Sequence, residues 1–187
     1  MSDHPRRVNA IFAVERNFGL FGAKDKAGRY YTPWHCRDDL RRFAAITKSG
    51  TVIMGRNTAE TISRPLKGRT NIVLRREIDG SDRFSRVGFH RADSLSYALR
   101  ISGENPFIIG GAQVLKAAFE EDVIDRIYLS LIHGGGTNIE TGPASIYLDK
   151  EVTIKARLGY HCIHRESWGD HDFLILERRR EPTGLAW

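Results

Sequence analysis

Pro106-Phe107-Ile108-Ile109-Gly110-Gly111-Ala112-Gln113-Val114-Leu115 is the stretch that decides the fold. A short, continuously apolar strand runs into a glycine pair, and a helical segment to about Phe119 follows at once. Such a strand is buried on both faces, as in a sheet covered by helices. The same order recurs upstream, where Thr51-Val52-Ile53-Met54-Gly55 leads into Arg56-Asn57-Thr58 and a short helix from Thr58 to about Ile62.

Working outward, Val8 to Val14 reads as another buried strand, and 15–33 as a long connection with Gly19, Gly22, Gly28 and Pro33. Loops of that length are usually lids or disordered. A helix spans about 37–48 and stops near Ser49-Gly50, and Asn71 to Leu74 is a strand. Val87 to Phe89 is a candidate short strand. Asp93 and Ser94 suit the cap of a helix reaching about Ile101. Asp125 to Ile132 is a strong strand, and Gly134 opens a loop to about Ala144. Val152 to Cys162 and His171 to Glu177 read as an antiparallel pair of strands. The expectation is one α/β domain over 1–187 with a core at about 8–178 and flexible ends at 1–7 and 181–187. Its centre is a mostly parallel twisted sheet, with an antiparallel C-terminal strand pair and helices on both faces.

The formal charge of +6 favours acidic partners, and the arginines occur in pairs, Arg41-Arg42 and Arg75-Arg76, rather than in one basic block. That spacing suits discrete anion sites better than a nucleic-acid arm. Aromatic residues do not interleave with the basic ones as a stacking platform for single strands requires. The polar start has no secretory core, no run reaches the roughly 18 apolar residues of a membrane span, and Cys36 and Cys162 lie far apart. A reducing cytoplasm, free thiols and no membrane partner are expected. His161-Cys162-x-His164 offers three potential ligands in a strand without a second cluster, so no metal site is expected there.

Two features carry chemistry. In the helix at 37–48, Cys36, Asp39/Leu40, Phe43 and Ile46/Thr47 share one face, while Arg37, Asp38, Arg41 and Arg42 fall mostly on the other. A carboxylate among apolar residues is costly to bury without a partner, so Asp39 either borders the face and reaches solvent or meets a ligand. The second feature is the pair of glycine turns at strand ends. Gly55 with Arg56 and Thr58, and Gly110-Gly111 with Gln113, allow close backbone approach and present helix N-termini to anions. Each turn also occurs where close packing alone requires it. Neither G-x-G-x-x-G nor a Walker A sequence is present, so a dinucleotide would be held another way. Arg75 and Arg76, past Leu74, could join Arg56 around an extra phosphate, which favours NADPH over NADH.

These blocks, colinear from Val8 to Arg178, resemble the dihydrofolate reductase family. They are Pro33-Trp34 with Asp39-Leu40-x-x-Phe43, Val52 to Thr58, Arg64 to Leu74, Ile108 to Gln113 and Asp125 to Leu129. The resemblance implies NADPH-dependent reduction of dihydrofolate to tetrahydrofolate, by hydride transfer to C6 and protonation at N5. It implies antifolate-type inhibitors, no nucleic acid and a cytoplasmic monomer. It assigns Asp39 to the pterin ring, supported by Ser130. Ile11, Ala13, Leu40, Phe43, Ile62 and Leu66 would form the pocket walls, and Arg69 would pair with the carboxylate of the glutamate tail. Arg56, Thr58, Leu74, Arg75 and Arg76 would lie at the adenosine phosphates. Gly55, Gly110, Gly111, Gln113 and Val114 would lie along the cofactor, with a cis peptide between Gly110 and Gly111. Ala13 and Ile109 would meet the nicotinamide side, and Gly22 would sit in a lid. Thr32, Cys36, Ala59 and Leu115 depart from the residues common in the family, and the lid's usual acidic partner is not evident in Gly134 to Tyr147. Two rivals are a same-fold reductase of another heterocycle, such as the riboflavin-pathway pyrimidine, and a non-catalytic NADPH- or folate-binding module. Asp39 together with Arg69 argues against the first.

Overall fold

Continuous apolar runs become strands here because both faces of the sheet are covered. The computed structural model describes residues 6–16, 19–75, 88–133 and 144–179. In chain order the elements are β1 (Asn9–Glu15), β2 (Leu20–Lys24), β3 (Tyr30–Tyr31), α1 (Arg37–Ile46), β4 (Thr51–Gly55), α2 (Arg56–Ile62), β5 (Thr70–Leu74) and β6 (His90–Ala92). There follow α3 (Leu95–Ile101), β7 (Pro106–Gly110), α4 (Ala112–Glu120), β8 (Arg126–Ile132), β9 (Ser145–Tyr147), α5 (Lys150–Gly159), β10 (Tyr160–Ser167) and β11 (His171–Arg178).

Eight strands form one sheet in the order β10-β11-β8-β1-β7-β4-β5-β6. The pairs from β8 to β6 are parallel, while β11 runs antiparallel to both β8 and β10. Alternate residues feed two cores. Ala10, Phe12, Val14, Ile53 and Ile108 join Leu95, Leu115, Phe119 and Val152, the last four on α3, α4 and α5. Ile11, Val52, Met54, Phe107 and Ile109 face the other way, under Ala59 of α2 and with Phe43 and Ile46 of α1 packed against them. A fully buried isoleucine contributes about 2–3 kcal/mol, so registers such as Ile53 opposite Ile108 are firmly specified. α3 begins with the expected cap, the Ser94 hydroxyl accepting from the Tyr97 N–H.

Three expectations need correction. Val152 to Gly159 is helix, so the strand pair is β10 with β11. The apolar Val152, Ile154 and Leu158 alternate like a strand, but Asp149 caps Lys150–Gly159 by accepting from the Glu151 N–H, and Val152 with Ala156 forms an i,i+4 pair on the core. The 15–33 connection is not structureless, because β2 pairs with both β3 and β9 in a second, three-stranded sheet. The short strand expected at 87–89 lies at His90–Ala92, after a buried Phe89; Val87 is outside the described residues. No described helix is long and apolar enough to cross a membrane.

Candidate active site

A cleft of about 1610 Å³ opens over the carboxyl ends of β1, β4 and β7, between α1, α2, α4 and the small sheet. Of the residues proposed from sequence for the substrate, all ten lie on its wall: Ile11, Ala13, Asp39, Leu40, Phe43, Ile62, Leu66, Arg69, Ile109 and Ser130. Leu40 is 53% exposed because it faces this cleft instead of the core.

Asp39 stands in the first turn of α1, where the helix dipole favours a carboxylate. Its Oδ1 accepts from the hydroxyl of Ser130, which β8 holds buried on the floor of the cleft. No other donor reaches this carboxylate among the described residues. Arg69 anchors itself against the other end of α1, Nε donating to the Thr47 carbonyl at 3.2 Å and Nη2 to that of Ala44 at 3.0 Å. Burial draws the Arg69 guanidinium below its usual pKa, a range so high that the group stays charged. One carboxylate and one fixed guanidinium therefore lie along one wall with Phe43 between them in sequence.

The other half is built from backbone. The Gly110–Gly111 peptide is cis, and Gly110 has φ +116°. A Cβ on Gly110 would lie 3.0 Å from Phe21 Cζ, one on Gly111 would lie 3.3 Å from Thr58 Oγ1, and one on Gly55 would lie 3.0 Å from Val114 Cγ2. These glycines bring the two turns together where a Cβ would crowd its neighbours. No side chain caps α2 or α4, and each has a glycine at its N-cap. Gly22, Gly55, Arg56, Thr58, Leu74, Arg75, Gly111, Gln113 and Val114 line this half. Gly110 is buried behind Phe21 and does not. Arg56 shares its Nε with Glu60 at 3.1 Å. Arg76 lies outside the described residues.

Several residues enter the cleft that the helical pattern had placed elsewhere or had not singled out. Arg42, placed on the face of the helix opposite Asp39, has a side chain only 16% exposed. It lies over the Phe173 ring at 4.3 Å and lines the cleft. Its i+3 spacing from Asp39 was the available signal. Phe21, Tyr30 and Tyr31 add aromatic surface from the segment read as a loop, and Trp34 follows directly after it. Among the described residues, His161, Cys162 and His164 do not converge on a common point; the grouping of three potential ligands is Cys36, Asp170 and His171. A second depression, of about 930 Å³, lies at the amino ends of the strands, and its Arg7 and Arg126 share the Glu177 carboxylate.

Fold and cleft together define an α/β protein with a large cleft across the strand carboxyl ends. Residues 7–146 match the family model described as dihydrofolate reductase. Dihydrofolate reductase of Staphylococcus aureus (strain MSSA476) is 36% identical over 152 residues, 79% of this chain and 87% of the relative. Dihydrofolate reductase type 3 of Salmonella typhimurium is 41% identical over 102 residues, 54% of this chain and 59% of the relative's length. A solved dihydrofolate reductase from Enterococcus faecalis, complexed with NADP(H) and RAB-propyl, superposes with a TM-score of 0.71 at 24% identity. It covers 93% of this chain and 97% of its own. This chain belongs to the dihydrofolate reductase family.

Proposed function

We propose that the protein reduces dihydrofolate to tetrahydrofolate with NADPH, adding a hydride at C6 and a proton at N5. Asp39, fixed by Ser130, accepts hydrogen bonds from the amino group and adjacent nitrogen of the pterin. Phe43, Leu40, Ile62 and Leu66 flank the ring system, and Arg69 forks onto the tail carboxylate. Ile11, Ala13 and Ile109 form the apolar floor that keeps water from the reacting atoms. Asp39 orients the ring and favours its protonated form electrostatically; water entering beside Thr32 and Trp34 delivers the N5 proton.

The residues fit the cofactor, because a Cβ on Gly55, Gly110 or Gly111 would crowd Val114, Phe21 or Thr58 on the cleft wall and the turns carry no side-chain cap of their own. NADPH, when bound, supplies the hydride. Gly55, Gly111, Gln113 and Val114 would hold its pyrophosphate side, and Arg56, Thr58, Leu74 and Arg75, with Arg76, its adenosine phosphates. The protein works as a cytoplasmic monomer on small molecules, with antifolates as competitors and without nucleic acid or membrane.

The observation that carries this reading is Asp39 bonded to Ser130 inside the same cleft as Arg69 and the glycine bend. Purified protein should oxidise NADPH on addition of dihydrofolate, and methotrexate should stop it. Tight binding of both ligands without oxidation would replace the enzyme with a binding module.

A further inference from the structure

α1 carries Asp39 yet has no fully buried residue, so polar ties must help to fix it over the sheet. Arg69 supplies one at the carboxyl end. The tie at the amino end is His171, the first residue of β11, which is wholly buried. Its Nε2 lies 2.8 Å from Arg42 Nη1, and its Nδ1 lies 2.7 Å from Asp170 Oδ1 and 3.4 Å from Cys36 Sγ. Cys36 is the N-cap residue of α1 and Arg42 lies in its second turn, so one imidazole meets the helix at two points.

Arginine has donors and no acceptor, so Nε2 must offer its lone pair and the ring proton must sit on Nδ1, donated to Asp170. Arg42 is itself confined: Nη2 donates to Glu166 at 3.1 Å, and its guanidinium lies between the rings of Phe173 and Trp168 at 4.3 and 5.5 Å. Trp168 stacks in turn on His171 at 6.1 Å. Phe173 pairs across the sheet with Ser130, the hydroxyl partner of Asp39. Cys36, Asp170 and His171 have the donor atoms of a thiophilic metal site, all within 4.8 Å. The proton on Nδ1 occupies the lone pair a metal would need. Burial first, then the Asp170 carboxylate, push the Cys36 thiol up, against the opposing pull of the Asp39 backbone N–H. A polar clamp accounts for the geometry better than a metal centre.

We propose that His171 is a positioning residue: its neutral Nδ1–H imidazole, through Arg42 and Cys36, pins the first turns of α1 and sets the reach of Asp39 toward the substrate ring. This rests on the reading of Asp39 as the pterin-binding acid. The charged or titratable groups facing the imidazole are Asp170 on its own turn, Cys36 and Arg42 on α1, and Glu166 of β10 behind Arg42. A proton on Nε2 would point at the Arg42 guanidinium, so the contact requires that nitrogen as acceptor.

Two isosteres separate its halves. His171→Gln keeps an acceptor where Nε2 stood, whereas His171→Asn places its amide at Nδ1 and leaves Arg42 without one. His171→Asn should raise the KM for dihydrofolate and the Kd for methotrexate about tenfold, and leave the KM for NADPH within about twofold. His171→Gln should stay near wild type for both ligands. Arg42→Met should reproduce His171→Asn, and combining the two should add nothing. Equal effects of Gln and Asn, or parallel losses for both ligands that follow thermal stability, would overturn the proposal. If the wild-type protein oxidises no NADPH with dihydrofolate, the functional reading fails by itself. Nitrogen-15 spectra of the wild-type imidazole then decide the clamp, Nδ1–H upholding it and a proton on Nε2 overturning it.

Discussion

At the Asp39 end of the cleft, the proposed recognition falls to side chains: a carboxylate on a helix, a hydroxyl on a strand, a guanidinium lashed to two helix carbonyls. At the glycine end it is given to backbone, brought close by residues that have no Cβ, with arginines only at the rim. The two halves should therefore fail differently. A side-chain site is broken by changing one functional group at constant shape. A backbone site resists such changes and breaks where bulk is added.

The largest effect should come from Asp39→Asn, which keeps the shape and removes the charge. Turnover at neutral pH should fall by about 100-fold or more, the scale of losing one preorganised electrostatic group, with a smaller deficit in acid where the substrate is already protonated. An unchanged rate and pH profile would remove Asp39 from the chemistry. Next, Gly110→Ala should raise the KM for NADPH about tenfold while dihydrofolate affinity holds, because φ +116° strains any L side chain and the new methyl meets Phe21. An equal loss for both ligands would show that the halves are not separable. Arg56→Gln should reduce the preference for NADPH over NADH only a few-fold, since Glu60 already shares that exposed guanidinium.

The smallest effect on activity should come from Tyr160, far from either half, which serves as a control. Its hydroxyl donates to the Ile124 carbonyl at 2.7 Å, and burial pushes its pKa up to about 12, against the pull of Arg178. With the folded value above the unfolded one, stability is full below about pH 10 and is lost as pH rises toward the folded value, on the order of 2–3 kcal/mol in all. Tyr160→Phe should abolish that alkaline loss and cost no more than about 1 kcal/mol at neutral pH, because Arg178 still satisfies the Ile124 carbonyl. Denaturant midpoints across the alkaline range measure both, and kinetics should be unaffected.

The sequence disclosed most where one physical demand acts alone. Val52-Ile53-Met54 and Phe107-Ile108-Ile109 are apolar on both sides because helices cover both faces, and those strands fall where expected. Asp39 is conspicuous because a carboxylate sits beside Leu40 and Phe43. Legibility fails where two periods coincide, as at Val152 to Leu158, whose alternation also satisfies a helix once Asp149 caps it. It fails again where pairing is distant. Nothing local in Leu20 to Lys24 announces Ser145 to Tyr147 as a partner, and nothing in Arg42 announces His171. Helical spacing separates the polar face of α1 from Asp39 but does not show the strand that packs beyond Arg42.

The claim at the centre is that Asp39 and Arg69 grip opposite ends of one ligand. Equilibrium binding of dihydrofolate, and of the same pterin without its glutamate tail, tests it most directly on wild type, Asp39→Asn and Arg69→Leu. Asp39→Asn should weaken both ligands alike. Arg69→Leu should weaken the tailed ligand by about 30-fold, the worth of a charge-assisted fork, and the tailless one by only the few-fold that loosening the carboxyl end of α1 costs. If Arg69→Leu weakens both equally, or neither, the two groups do not hold one molecule between them.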